Sequence, residues 1–164
     1  MVSTSCKPAI AIVYSSVTGN TAELAGMLLE CSQQRWTNVR VFGPREFCHE
    51  KIVDFDAVMV GTYTWGSGEI PDEMRNVYRH FEATECKAVV TAVFGTGDSF
   101  FAEFCGGVDR FRDMLYVHTA LAATLKIELM PQEKDLARCG KFVEAVCGRL
   151  VETDGMRKRK VTCS

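Results

Sequence analysis

The sequence predicts the α/β class, as a doubly wound five-stranded parallel sheet, on three observations. Five apolar runs of strand length alternate with stretches of helical periodicity. The runs are mostly apolar throughout rather than alternating, as expected of strands covered by helices on both faces. Polar, glycine-rich segments follow the first, third and fourth runs, where open α/β sheets present their carboxyl ends to ligands.

In chain order, AIAIVY (9–14) reads as a buried strand, and NTAELAGMLLECSQ as a helix with Leu24, Met27, Leu28 and Cys31 on one face. NVRVFG (38–43) is a half-buried strand with alternating valines. The least regular helical stretch, PREFCHEKIVDF, leads to the buried strand DAVMVGT (56–62). IPDEMRNVYRHFE is a helix with Pro71 in its first turn. KAVVTAVFG (87–95) is the fourth strand and FCGGVDRFRDMLYVHTA (104–120) the helix after it. ATLKIEL (123–129) and QEKDLARCGKFVEAVCGRLVE (132–152) close the pattern. Residues 1–152 therefore read as one domain, and 153–164 as a basic, disordered tail.

Composition narrows the function. With 164 residues and 47% apolar content, the chain suffices for one well-buried domain. The formal charge of −2 would be −6 without the four bases Arg157 to Lys160, so the body is mildly acidic and nucleic acid is not expected as a partner. The start, MVSTSCK, is short and polar, and no run approaches the roughly 20 apolar residues of a membrane helix. Of eight cysteines none are in C-x-x-C spacing, and several lie in apolar runs. Buried free thiols in a reducing cytoplasm are expected, without a metal site. His49, His80 and His118 are scattered, and none has a Cys at ligand spacing.

The segment SSVTGNT (15–21) stands between the first strand and the first helix. Ser16, Thr18 and Thr21 offer hydroxyls, Asn20 an amide, and Gly19 lets the backbone approach an anion at a helix N-terminus. An ordinary helix cap would favour the same residue types. The loop lacks the Lys of a nucleoside-triphosphate loop and is not G-x-G-x-x-G. In the second loop, TYTWGSGE, Trp65 stands among small residues, where an indole is poorly placed for core packing and well placed to meet a planar ring. The third loop carries Phe100 and Phe101 after Gly95 and Gly97. A phosphate site and aromatics at one sheet edge point to a flavin mononucleotide, FMN.

The motifs S-V-T-G-N-T (16–21), T-W-G (64–66) and F-G-T-G-D-S-F-F-A-E-F-C-G-G-V-D (94–109) resemble those of flavodoxins, the last matching the pattern F-G-x-G-D-x-x-Y-x-x-F-C-x-x-V-D. The resemblance runs to about residue 150, and the uninterrupted fifth strand is similar to that of the short-chain branch. It implies the strand order 2-1-3-4-5, bound FMN and low-potential electron transfer between a flavodoxin or ferredoxin reductase and acceptor redox proteins, by a monomer. By the same resemblance Ser16, Thr18, Asn20 and Thr21 hold the phosphate, with Thr64 assisting. Trp65 and Phe101 stack on the two faces of the ring, and the backbone around Thr96, Asp98 and Cys105 meets its pyrimidine edge. Val17, Gly19, Tyr63, Gly97 and Phe104 complete the implied site, and Gly66 is expected to turn its peptide over on reduction. Phe101 stands where the family most often has Tyr, and the charge is less negative than is usual for it. Acidic residues near the loops (Glu69, Asp72, Glu73, Asp98, Glu103, Asp109) suggest a local acidic rim, diluted by Arg75, Arg79, Arg110 and Arg112. The competing readings are a quinone or flavin reductase, the activator flavoprotein of a ribonucleotide reductase, and a phospho-receiver. A reductase would need a nicotinamide site, and a receiver an acidic cluster where the chain has Tyr14-Ser15-Ser16.

Overall fold

Side chains along each inner strand divide between two cores, which places helices on both faces of the sheet. A computed structural model describes residues 7–100 and 103–162, with backbone alone at 157 and 160–162. Phe101, expected to stack on the flavin, lies outside the described residues. The strands are β1 (Ile10–Tyr14), β2 (Val39–Phe42), β3 (Ala57–Tyr63), β4 (Val90–Gly97) and β5 (Ala120–Glu128). They pair in parallel in the order β2-β1-β3-β4-β5, as the resemblance implied.

The helices are α1 (Asn20–Gln33), α2 (Pro44–Phe47), α3 (Asp72–Glu82), α4 (Gly106–His118) and α5 (Leu136–Thr162). Ala11, Val13, Val58 and Val60 pack with Met74, Val77 and Phe81 of α3 and Val108, Phe111 and Leu115 of α4. Ile10, Ile12, Ala57 and Met59 pack on the other face with Leu24 and Leu28 of α1 and Phe142 and Val146 of α5. Each fully buried large side chain contributes about 1.5–3 kcal/mol relative to exposure.

The expected elements all occur, with shifted bounds. Pro71 caps α3 rather than entering its first turn, so the helix opens at Asp72. The stretch after β2 forms only the four-residue α2 and a 3-10 turn at Ile52–Asp54, where Phe47 and Ile52 are buried as anchors. β4 begins at Val90 rather than 87, because the Val89 N–H closes a turn onto the Cys86 carbonyl at 3.0 Å. The largest difference is α5. It was expected to end at 152, with a disordered tail beyond, and the backbone stays helical to Thr162. No proline interrupts it, and pairs Arg149–Glu152 (3.0 Å) and Asp154–Lys158 (3.3 Å) support the added turns. Bases at a helix C-terminus also complement its dipole.

The parallel register brings Tyr14 beside Gly61, and Tyr63 beside Thr96. From β1 the chain steps to β2 on one side, and from β3 it steps to β4 on the other, so strand order reverses between β1 and β3 and a crevice opens beyond their carboxyl ends. Two glycines permit this close assembly. A Cβ on Gly61 would lie 2.3 Å from the Phe94 ring, and one on Gly95 would lie 2.3 Å from the Thr62 carbonyl oxygen.

Candidate cofactor site

The first loop leaves β1 with Ser15, whose N–H donates to the Gly61 carbonyl at 3.2 Å. Its Oγ donates to Glu73 Oε1 at 2.6 Å, and the Tyr63 hydroxyl donates to the same oxygen at 2.7 Å. Glu73 of α3 thereby ties together the ends of β1 and β3. Burial alone would raise the Glu73 pKa, but the two hydroxyl donors outweigh it and hold the carboxyl below its ordinary value. Tyr63 is pushed up to about 12, first by burial and then by Glu73, so its phenol keeps its proton.

Helix α1 is preceded by Gly19 at its N-cap, which has φ +92° and provides no side-chain cap. The neighbouring Ser, Thr and Asn therefore do not cap the helix, although an ordinary cap was one reading of those residues. Ser16 Oγ is buried and has no hydrogen-bond partner among the described residues. Such a group normally has one, and leaving it alone costs about 1–3 kcal/mol. Thr21 is different from its neighbours: its buried hydroxyl is 2.8 Å from that of Thr96, fastening α1 to β4. That leaves its backbone N–H, rather than its full hydroxyl capacity, as its clearest offering to an anion.

The second loop folds into a small hairpin. The Trp65 N–H donates to the Glu69 carbonyl at 3.0 Å, and the Glu69 N–H donates back at 2.8 Å. Gly66 (φ +52°) and Gly68 (φ +87°) lie in the left-handed region, where glycine avoids the Cβ penalty. Thr64 Oγ1 accepts the Gly107 N–H at 3.3 Å, so its own proton is available to a further acceptor. The Trp65 indole is 59% exposed.

The third loop turns at Asp98, whose Oδ1 accepts the Phe100 N–H at 2.9 Å. Ser99 donates to the Glu128 carboxylate, and the Leu129 N–H bonds the Gly97 carbonyl at 2.8 Å. Cys105 adopts φ +54° and is buried, which pushes its thiol up to about 12 and keeps it a neutral group.

The loops enclose a cleft of about 670 Å³, within the range of small-molecule sites. Val17, Thr18 and Asn20 line it from the first loop, Tyr63, Thr64 and Gly66 from the second, and Thr96, Gly97, Asp98 and Cys105 from the third. Ser16, Gly19 and Thr21 are the adjoining residues of the first loop and helix start. Phe104 instead packs against the core, its ring 3.4 Å from where a Gly97 Cβ would stand. Ser67, Glu103 and Leu129 also line the cleft and were not foreseen. Glu103 lay within a quoted motif and was assigned only to the rim. Leu129 carries no local signal, since its place depends on φ +54° after β5 and on pairing with Gly97.

Among the described residues no Lys, Arg or His lines the cleft, whereas Asp98 and Glu103 do. The expected acidic rim is smaller than composition suggested. Asp109 is paired with Lys126 and Arg112, both at 2.7 Å, and Asp72 with Arg75 at 3.2 Å. Glu73 is engaged by the two hydroxyls. Among the described residues no cluster of His, Cys, Asp and Glu is placed to hold a metal ion, and no helix is long and apolar enough to cross a membrane.

The family model described as Flavodoxin matches residues 12–140. The chain is 31% identical over 156 residues to probable flavodoxin 1 of Bacillus subtilis (strain 168), covering 93% of this chain and 97% of that protein. It is 31% identical over 145 residues to a flavodoxin of Nitratidesulfovibrio vulgaris (strain DSM 19637 / Miyazaki F), covering 87% and 96% respectively. The crystal structure of oxidised flavodoxin 2 from Bacillus cereus is similar with a TM-score of 0.80 at 30% identity, covering 86% of this chain and 99% of that one. Sequence motifs, strand order and these relatives agree, and the chain belongs to the flavodoxin family.

Proposed function

We propose that this flavodoxin is a low-potential one-electron shuttle with no substrate of its own, holding FMN non-covalently in the cleft between its three loops. The observation that carries the reading is the start of α1: no side-chain cap and, among the described residues, a buried Ser16 hydroxyl without a partner and no cation in the cleft lining. These features suit a phosphate bound by neutral donors. When bound, FMN supplies the ability to accept and give up electrons one at a time.

The chain's part is to bind, orient and bias. Ser16, Thr18, Asn20 and Thr64 direct hydroxyl and amide donors at the phosphate, joined by backbone N–H groups of Val17, Gly19 and Thr21. By the family resemblance Trp65, which is exposed on the second loop beside the cleft lining, would supply one aromatic face and Phe101 the other. Thr96, Gly97, Asp98 and Cys105 would offer backbone groups to the polar ring edge, while Tyr63 shapes a wall and Phe104 supports the third loop from the core side. A phosphate held without a cation keeps its negative charge, and Asp98 and Glu103 add to the local field. That retained charge, together with these carboxylates, would oppose the addition of further negative charge in the cleft and so bias a bound flavin toward a low potential. The Gly66 peptide turns over to present its N–H or its carbonyl to the cleft, as a left-handed glycine permits.

Burial pushes the Cys105 thiol up, and among the described residues no histidine lines the cleft, which favours a carrier over a reductase. The donors and acceptors we propose are a flavodoxin or ferredoxin reductase and acceptor redox proteins, met in transient complexes by a cytoplasmic monomer. The isolated, FMN-loaded protein is expected to show negligible steady-state NADPH or NADH oxidation with quinone or free flavin as acceptor. Addition of a ferredoxin reductase should start its reduction. Sustained turnover of the protein alone would refute the carrier reading.

A further inference from the structure

The hairpin that carries Gly66 is fixed at both ends and open in the middle. Its ends are joined by the paired Trp65 and Glu69 amides, and the preceding Thr64 is tied to α4 through Gly107. Gly68 is held from three sides. Its carbonyl accepts Arg110 Nε–H from α4 at 2.8 Å. A Cβ on Gly106 would lie only 2.6 Å from Gly68 Cα, so the start of α4 presses directly on it. A Cβ on Gly68 itself would meet Glu103 Oε2 at 1.9 Å. Among the described residues no hydrogen bond holds the backbone of Gly66 or Ser67.

We propose that Arg110 is a positioning residue for the Gly66 peptide: its bond to the Gly68 carbonyl confines backbone rotation in this hairpin to the 66–67 segment. The inference rests on the reading of Gly66 given above. A hairpin anchored at Gly68 orders only one or two peptide units when Gly66 turns, whereas a loosened hairpin must order the whole turn. Arg110 lies outside the cleft lining, so it acts through the backbone.

Side-chain chemistry separates a hydrogen bond from a charge. Arg110→Gln places an N–H donor the same number of bonds from the backbone as the arginine Nε, without charge. Arg110→Lys keeps the charge but has a methylene at that position. Arg110→Met keeps neither. Two readouts apply: amide hydrogen exchange at Trp65 and Glu69 in FMN-free protein, and the two one-electron midpoint potentials of FMN-loaded protein. Arg110→Met and Arg110→Lys are expected to speed exchange about fivefold and to lower the ratio of the two one-electron equilibrium constants by a similar factor. Arg110→Gln should stay near wild type in both. An unchanged Arg110→Met in either readout, or a wild-type Arg110→Lys beside a defective Arg110→Gln, would overturn the proposal. Gly66→Val is the control for the underlying reading. If it leaves the potentials of the loaded protein unchanged, the Gly66 role fails and the positioning proposal with it. If it narrows them while Arg110→Met does not, the positioning role alone fails.

Discussion

Ser16→Ala is expected to weaken FMN binding by roughly 10- to 100-fold while stabilising the FMN-free protein by about 1 kcal/mol. The opposite signs follow from one atom. Ser16 Oγ is buried without a partner among the described residues, so removing it relieves a desolvated donor in the free protein. With FMN bound the same hydroxyl meets a phosphate, and a hydrogen bond to a charged group is worth about 1.5–3 kcal/mol. FMN fluorescence quenching gives the first quantity and urea unfolding of the free protein the second. Riboflavin, which has no phosphate, serves as the internal control and should bind the variant as it binds wild type. Equal losses for FMN and riboflavin would mean that Ser16 packs the loop and does not hold the phosphate.

Gly95→Ala is expected to destabilise the fold by about 3 kcal/mol, lowering Tm by roughly 6–12 °C. Gly95 lies in β4 opposite Thr62 of β3. The new methyl would stand 2.3 Å from the Thr62 carbonyl oxygen and 2.3 Å from Val108 Cγ2. Val108 can change rotamer, but the Thr62 carbonyl belongs to the backbone and moves only if the strand moves. Any such shift carries Thr96 and Gly97, so FMN affinity should fall along with stability. Gly26→Ala provides the contrast. It lies in α1 with open space around a new methyl, and alanine favours helix by up to about 1 kcal/mol over glycine. Thermal unfolding of the two variants, followed by circular dichroism, checks both signs.

The sheet was legible because burial on both faces leaves an unambiguous trace: runs such as AIAIVY and DAVMVGT have no polar face to confuse with a helix. The site loops were legible for a related reason, since clustered hydroxyls, glycines and a lone indole serve no core. Element ends were less so. Ala120 opens β5 by donating its N–H to the Val89 carbonyl at 2.9 Å, a pairing that nothing in the alanine-rich stretch announces. The continuation of α5 past residue 152 was hidden because a run of bases resembles a solvated tail until helical pairs such as Asp154–Lys158 are seen. Within the site, Thr21 looked equivalent to Ser16 and Thr18. The Thr96 hydroxyl that engages it lies 75 positions away, and local pattern carries no information at that range. The Arg110–Gly68 bond, between residues 42 apart, was hidden in the same way. Asp109 looked like a rim acid because Lys126, which pairs with it from 17 positions away, gives no local signal, whereas the diluting effect of Arg112 was visible.

Parallel calorimetric titration of the FMN-free protein with FMN and with riboflavin tests most directly whether uncharged donors grip the phosphate. Submicromolar FMN binding is expected, at least about 100-fold tighter than riboflavin, with only weak dependence on salt because no cation–phosphate pair is broken. Equal affinity for the two ligands, or no binding of FMN at micromolar concentration, would contradict it.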